Sequence, residues 1–245
     1  MPGSAVANTY FRFKQFTIEQ DQCAMKVCTD ACVLGAAADI TTAARILDIG
    51  TGTGLLALMA AQRNATARIE AVEIAPDAAR QATGNVAQSP WPGRVRVQAL
   101  SLAQFAATAP APFDHILCNP PFFRHSLRSP DAARTTARHT ASDTLSFAEL
   151  AQFAADFLTP SGQLTVLLPP LEMQQFEREA VRAGLFPAAR LALHHRPGSK
   201  ALRHITRFGR AATAAATQVL PIHEADSAAY SPEFRQLLRD FYLAF

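Results

Sequence analysis

Three short stretches hold residues whose types and spacing can do chemistry. In residues 113–125, "FDHILCNPPFFRH", an apolar strand runs into Asn119-Pro120-Pro121-Phe122. Proline offers no backbone donor and ends a strand, and two in succession make a stiff, extended exit. The Asn119 amide oxygen and the Pro120 carbonyl place two acceptors side by side. Such a pair can take both hydrogens of an –NH2 group. A conjugated amine is a poor nucleophile because its lone pair is delocalised. Hydrogen bonds at both N–H positions favour a tetrahedral nitrogen whose lone pair is localised. Phe122 adds a ring face for a flat substrate, worth ~1–3 kcal/mol for a stacked base. The expected chemistry is group transfer to a planar amine, with Asn119, Pro120 and Phe122 as the catalytic residues.

The second stretch is Asp48-Ile49-Gly50-Thr51-Gly52-Thr53-Gly54. Glycines let the backbone turn tightly and let a ligand approach its amides. The dinucleotide fingerprint GxGxxG does not fit: from Gly50 the third glycine falls at Leu55, and from Gly52 at Ala57. GxxxxGK[ST] is absent as well. An acid two residues before the first glycine suits a ligand with a cationic amino group and no pyrophosphate. The third stretch, "AVEIA", ends in Glu73, about 20 residues past the glycines. That spacing suits an acid that takes ribose hydroxyls. A solvated carboxylate at a helix start is the alternative. Agreement with the glycine turn favours ribose.

Each of these stretches needs a strand to carry it. "RILDIG" (45–50), "RIEAVEI" (68–74), "RVRVQAL" (94–100), "FDHILC" (113–118) and "GQLTVLLP" (162–169) read as strands. "LLALMAAQR" (55–63), "PDAARQATGNVAQS" (76–89), "LSFAELAQFAADFL" (145–158) and "LEMQQFEREAVRAG" (171–184) read as helices between them. Strands over 188–196 and 202–209 complete a set of seven. Such alternation predicts an α/β fold: a mostly parallel sheet with helices on both faces. Ligands in such sheets bind at the carboxyl ends of the strands. Upstream, residues 1–9 read as a loose tail, 10–22 as a strand or hairpin and 30–39 as a helix. The run 211–217 reads as a surface turn or edge segment. Residues 231–245 place Phe234, Leu237, Leu238, Phe241 and Phe245 on one helical face for core packing.

The totals bound the class. With 245 residues, 49% hydrophobic and 18% charged, the chain can bury a substantial core and is not a disordered chain. A net charge of +3 allows a polyanionic partner without requiring one. Cys23, Cys28, Cys32 and Cys118 match no zinc spacing, so no metal is expected. Reduced thiols, no signal peptide and no membrane span fit a cytoplasmic protein.

"LDIGTGTG", "AVEI" and "NPPFF", in this order, resemble the class I S-adenosylmethionine-dependent N-methyltransferases. "FRFKQFTIEQDQCAMKVCTDACVLGAA", "NVAQSPWPGRV", "FDHILCNPPFF", "ARHT" and the closing "FYL" are similar to the bacterial tRNA1(Val) adenine-N6-methyltransferases. The resemblance runs from about Phe11 to the C-terminus and is strongest before residue 170. It implies a Rossmann-like class I methyltransferase fold in one domain over 10–245, with 10–40 covering the cofactor. It implies methylation of the N6 amine of adenine 37, beside the anticodon of tRNA1(Val). Asp48, Gly50, Gly52, Glu73 and Asn119 would meet S-adenosylmethionine, with Thr29 and Asp30 closing over its methionine end. Ser101 stands toward the cofactor's adenine, where the family usually has aspartate. Cys28 replaces a usual glycine, and Phe123 a frequent tyrosine.

The remaining candidates concern RNA. Residues 124–139 carry Arg124, Arg128, Arg134 and Arg138 without apolar periodicity, and are expected to meet phosphates. "HHRPGSKALRH" (194–204) is a second basic turn between late strands, with Arg196, Lys200 and Arg203, of which Lys200 and Arg203 are the candidate contacts. His139 reads as an RNA contact or structural residue, Cys118 as a core residue and Trp91 as a packed turn cap. tRNA is the expected partner, and a monomer the expected state. The alternatives are methylation of rRNA bases, DNA adenine or a protein glutamine, or a scaffold that binds RNA without turnover. No appended recognition domain for DNA and no N-terminal helical domain for a glutamine substrate are apparent.

Overall fold

Short apolar runs bounded by turn residues form the strands, and the runs between them form helices, some amphipathic and some apolar almost throughout. The computed structural model describes residues 8–23, 25–120 and 145–245. A two-stranded antiparallel hairpin, β1 (Tyr10–Arg12) and β2 (Thr17–Glu19), precedes α1 (Thr29–Ala37). Then come β3 (Arg45–Ile49), α2 (Leu55–Arg63), β4 (Arg68–Glu73) and α3 (Pro76–Gln88). β5 (Val95–Ala99), α4 (Leu102–Ala107) and β6 (Phe113–Cys118) follow. The last part holds α5 (Phe147–Phe157), β7 (Leu158–Leu168), α6 (Pro170–Arg182), β8 (Phe186–His194) and β9 (Ala201–Gly209). It ends in β10 (Ala216–Pro221) and α7 (Pro232–Leu238).

The large sheet has the order β10-β8-β9-β7-β6-β3-β4-β5. β9 alone runs antiparallel to its neighbours. This is the expected mostly parallel α/β sheet, with one strand more than the seven read from the sequence. β10 is the addition. It pairs in parallel with β8 at the sheet edge and is largely exposed, so its sequence shows no buried stripe. The strand order reverses between β3 and β6, which makes this the switch point where ligands bind in such sheets.

Side chains alternate across the sheet with period two. Ile46 and Leu117 face the core under α1, α2, α3 and α7. Leu47, Ile49, Ile116 and Cys118 face the core under α4, α5 and α6. α4 lies where no helix was expected. Its start is written in Ser101 and Gln104, whose side chains and backbones cap each other reciprocally. At the C-terminus the helix covers only Pro232–Leu238, although Phe234, Leu238 and Phe241 are buried as expected. The carbonyls beyond it are met from elsewhere. Lys14 Nζ donates to the Arg239 carbonyl (2.6 Å) and to a terminal carboxylate oxygen of Phe245 (2.7 Å), and Lys14 N donates to the Phe241 carbonyl (2.9 Å). The N-terminal segment thus satisfies the Arg239 and Phe241 carbonyls, which a longer helix would have satisfied itself.

Gly162, in β7, passes close to β6 where the register between the two strands shifts. A Cβ there would stand 2.8 Å from the Phe113 carbonyl oxygen and 2.9 Å from Thr159 N. Both neighbours are backbone and cannot rotate away. Gly162→Ala is expected to destabilise the fold by about 1–3 kcal/mol in urea unfolding.

Candidate active site

The β3–β6 register pairs Asp48 with Leu117 and Ile49 with Cys118. Gly50 and Asn119 are the next residues after the paired strands, so the two strands leave the sheet side by side. On the other flank Ile49 pairs with Val72, and Glu73 pairs with Ala99. The glycine turn, Glu73, Ser101 and Asn119 therefore share one carboxyl rim of the sheet.

Gly50, Gly52 and Gly54 have φ of 69°, 55° and 85°. These left-handed conformations favour glycine. A Cβ on Gly50 or Gly52 would meet nothing within 4 Å, so the space beside the turn is open to a ligand. Gly50 N and Thr51 N both donate to the Val72 carbonyl, at 2.9 and 3.1 Å. Glu73 holds the turn from below: its Oε2 accepts from Gly52 N and its Oε1 from Ala75 N, each at 2.9 Å. Each carboxylate oxygen keeps a further lone pair.

Asp48 is completely buried. Its Oδ2 accepts from Thr51 Oγ1 (2.5 Å) and from Ala57 N (3.2 Å) at the start of α2, while Oδ1 has no partner among the described residues. Burial pushes this carboxyl up to about 7; the Thr51 and Ala57 bonds pull against that, and the Glu73 charge adds to it. Asn119 Oδ1 is likewise buried, with no partner among the described residues. Buried acceptors are almost always satisfied, so two orphans on adjacent strand ends mark a place built for donors. Pro120 is buried next to it.

The N-terminal extension is tied to this rim by amide side chains that the sequence reading did not pick out. Asn85 exchanges hydrogen bonds with Glu19 in both directions and donates to the Thr53 carbonyl of the glycine turn, all at 2.9 Å. Gln81 donates to Asp21 (2.5 Å) and accepts from Gln22 N (3.1 Å). Gln20 accepts from Val27 N (2.7 Å), and its carbonyl accepts from Lys26. Gln20, Gln81 and Asn85 are all buried. They hold the segment that leads into Thr29 and Asp30. Thr29, the first residue of α1, lies beside Tyr242. Asp30 Oδ2 lies 2.9 Å from Arg203 Nε.

Several expected residues have further partners. Arg203 pairs with Asp30, so an RNA candidate and a cofactor candidate meet each other. Ser101 Oγ accepts from Gln104 N (3.2 Å) as the cap of α4. Lys200 is exposed in the turn between β8 and β9. Cys118 is fully buried, and burial raises its thiol well above the ordinary range, as expected of a core residue. All four cysteines are free. Trp91 packs edge-on to Phe16 at 5.9 Å. Phe122, Arg124, Arg128, Arg134, Arg138 and His139 lie outside the described residues. Among the described residues no His, Cys, Asp or Glu cluster could hold a metal ion, and no helix is long and apolar enough to cross a membrane.

Residues 30–183 match the family model described as the methyltransferase small domain. The chain is 47% identical over 241 residues to a tRNA1(Val) (adenine(37)-N6)-methyltransferase of Dyadobacter fermentans, covering 97% of this chain and 99% of that one. It is 45% identical over 236 residues to the protein of the same name in Phocaeicola vulgatus, covering 96% and 98%. Among solved structures, a predicted O-methyltransferase from Agrobacterium tumefaciens superposes with a TM-score of 0.62 at 23% identity, over 86% of this chain and 96% of that one. That likeness shows the fold.

The Asp48 carboxyl gives a test by pH. Folding raises it from 3.8 to about 7. Below about pH 4 both states hold the proton. Between these values only the folded state does, so the stability it lends falls as pH rises. Above pH 7 the fold carries a buried charge, a penalty on the order of 4 kcal/mol at full strength. Asp48→Asn is expected to raise the melting temperature of the ligand-free protein at pH 8. The gain should shrink toward zero near pH 4, as followed by thermal unfolding across pH.

Proposed function

This chain belongs to the family of tRNA1(Val) (adenine(37)-N6)-methyltransferases, and we propose that it methylates the N6 amine of adenine 37 in tRNA1(Val) with S-adenosylmethionine as donor. The observation that carries this reading is the pair of orphaned acceptors, Asp48 Oδ1 and Asn119 Oδ1, on strand ends held side by side by the β3–β6 register. We read residues 10–245 as one methyltransferase unit whose first thirty residues or so cover the cofactor, acting in the cytoplasm.

The donor set fits S-adenosylmethionine. Asp48 offers a buried carboxylate oxygen to a cationic amino group. The open side of Gly50 and Gly52 admits the ligand against the backbone. Glu73 keeps lone pairs for ribose hydroxyls, and Thr29, Asp30 and the Ser101 hydroxyl stand at the same rim. When bound, the cofactor supplies a methyl group already activated by the sulfonium charge. The remaining work is placement and exclusion of water.

Asn119 Oδ1 and the Pro120 carbonyl take the two N–H bonds of the target amine. This localises the nitrogen lone pair and aims it toward the glycine turn. Phe122 is assigned to stack on the adenine. The nitrogen gains the methyl group first and loses its proton to water afterward, so no strong base is required. The target base must leave its stack to enter the pocket, and a single-stranded loop lowers that cost. Arg124, Arg128, Arg134, Arg138 and Lys200 are assigned to phosphates. Arg203 is assigned to the same edge, through its pairing with Asp30.

The test is transfer of labelled methyl to bulk tRNA lacking the modification, followed by nucleoside analysis. N6-methyladenosine in tRNA is the expected product. Label only in rRNA or protein, or none at all with cofactor bound, would overturn the reading. In the same assay Asn119→Ala is expected to cut kcat at least ~100-fold, by analogy with loss of one positioned hydrogen-bonding group elsewhere. Cofactor affinity, measured by calorimetry, should stay within about threefold. An equal loss of cofactor binding would remove Asn119 from the amine site.

A further inference from the structure

The edge formed by β8, β9 and β10 carries a feature that methyl transfer at Asn119 does not use. β8 and β10 run parallel to β6, and β9 runs back, so the 195–200 turn and the 222–231 loop both lie at the carboxyl rim where Asn119 sits. β8 is three strand spacings from β6, roughly 14 Å. Four rings form a column there. His195 meets His223 edge-on at 5.0 Å, His223 stacks on Tyr230 at 5.1 Å and 16°, and Tyr230 stacks on Phe234 at 5.0 Å and 13°. Phe234 is fully buried in the core, whereas His195 is exposed. The column is thus anchored at one end and open at the other.

The support is rigid. Arg196-Pro197-Gly198-Ser199 closes with Ser199 N donating to the Arg196 carbonyl (3.1 Å), and Gly198 has φ 74°. Proline followed by a left-handed glycine is the type II turn pattern. His194 Nδ1 donates to the Ser199 carbonyl (2.5 Å). Arg196 Nη1 donates to the carbonyls of Glu224 (3.0 Å) and Ala225 (2.9 Å), and His223 N donates to that of His195 (3.1 Å). Turn and loop are therefore one body before any ligand arrives, which lowers the ordering cost of binding. Charge is divided across it. Lys200 is exposed on the turn, while Glu224 and Asp226 are exposed on the loop.

We propose that this column is a stacking platform for an unpaired base of the tRNA substrate, a few nucleotides from the target. His195 is the contacting ring, and the phosphates run on the Lys200 side, away from Glu224 and Asp226. The proposal rests on the tRNA reading above. Internal bracing accounts for His223 and Tyr230, but a brace has no use for an exposed terminal ring beside an exposed lysine.

The experiment is steady-state methylation of a tRNA1(Val) transcript by the full-length protein and three variants. His195→Ala should raise KM for tRNA about tenfold, the size of one lost base stack. Its kcat should stay within about twofold, with unchanged KM for S-adenosylmethionine and unchanged melting temperature. His195→Trp restores a ring and should bring KM back to the wild-type value or below. Lys200→Ala should flatten the salt dependence of tRNA binding by about one ion. A wild-type KM in His195→Ala, or a His195→Trp as weak as the alanine variant, overturns the platform while the tRNA reading stands. If the wild type methylates no tRNA, that reading fails instead. Binding of a single-stranded RNA oligonucleotide then decides the platform, and equal affinity of wild type and His195→Ala overturns it.

Discussion

The site depends on the parallel ladder between β3 and β6. A slip of one residue would move Asn119 off the level of Gly50 and turn every side chain of the strand to the wrong face. Alternating burial prevents that slip: Ile46 and Leu117 belong to one core, and Leu47, Ile49, Ile116 and Cys118 to the other. The amino ends are pinned separately. Asp114 Oδ2, on β6, accepts from Ala44 N (2.9 Å) and Arg45 N (3.0 Å) at the start of β3. With the ladder locked at its base and along its length, the two strand ends have a single relative position.

That position is used for groups the fold would be more stable without. A carboxyl with no exposure and one unpartnered oxygen costs free energy, and so does a buried amide oxygen without a donor. The surrounding core, built on both faces of the sheet, offsets the cost. Two unsatisfied acceptors on adjacent strand ends, beside a turn that leaves open space, are what a binding site looks like in energetic terms. The left-handed glycine turn belongs to the same pattern, because its conformation leaves open space that packing would otherwise fill.

Around this centre the structure adds two supports of different chemistry. Beside the glycine turn, buried amides of Gln20, Gln81 and Asn85 fasten the N-terminal segment, satisfying backbone groups of Glu19, Gln22, Val27 and Thr53. On the far side, β10 and the 222–231 loop brace the β8–β9 turn through Arg196 and a column of rings. The ion pair of Asp30 with Arg203 ties α1 to β9 and so links the two sides across the rim.

The sequence by itself determined the alternating α/β order, the three strand ends that matter and the types of residue placed there. Each of these is local: a strand ends where prolines begin, a turn tightens where glycines recur, and apolar period sets the element. The cap of α4 is local in the same way, since Ser101 and Gln104 stand three residues apart and bond reciprocally. Only the tertiary structure decided that Asn119 stands beside Gly50, since their 69-residue separation is closed by strand pairing, which is non-local. It alone decided that Asn85 meets Glu19 and Thr53, that Lys14 meets the Arg239 and Phe241 carbonyls, and that Asp30 faces Arg203. β10 became an eighth strand because β8 offered an unpaired edge, a property of the assembled sheet that no pattern within 216–221 encodes.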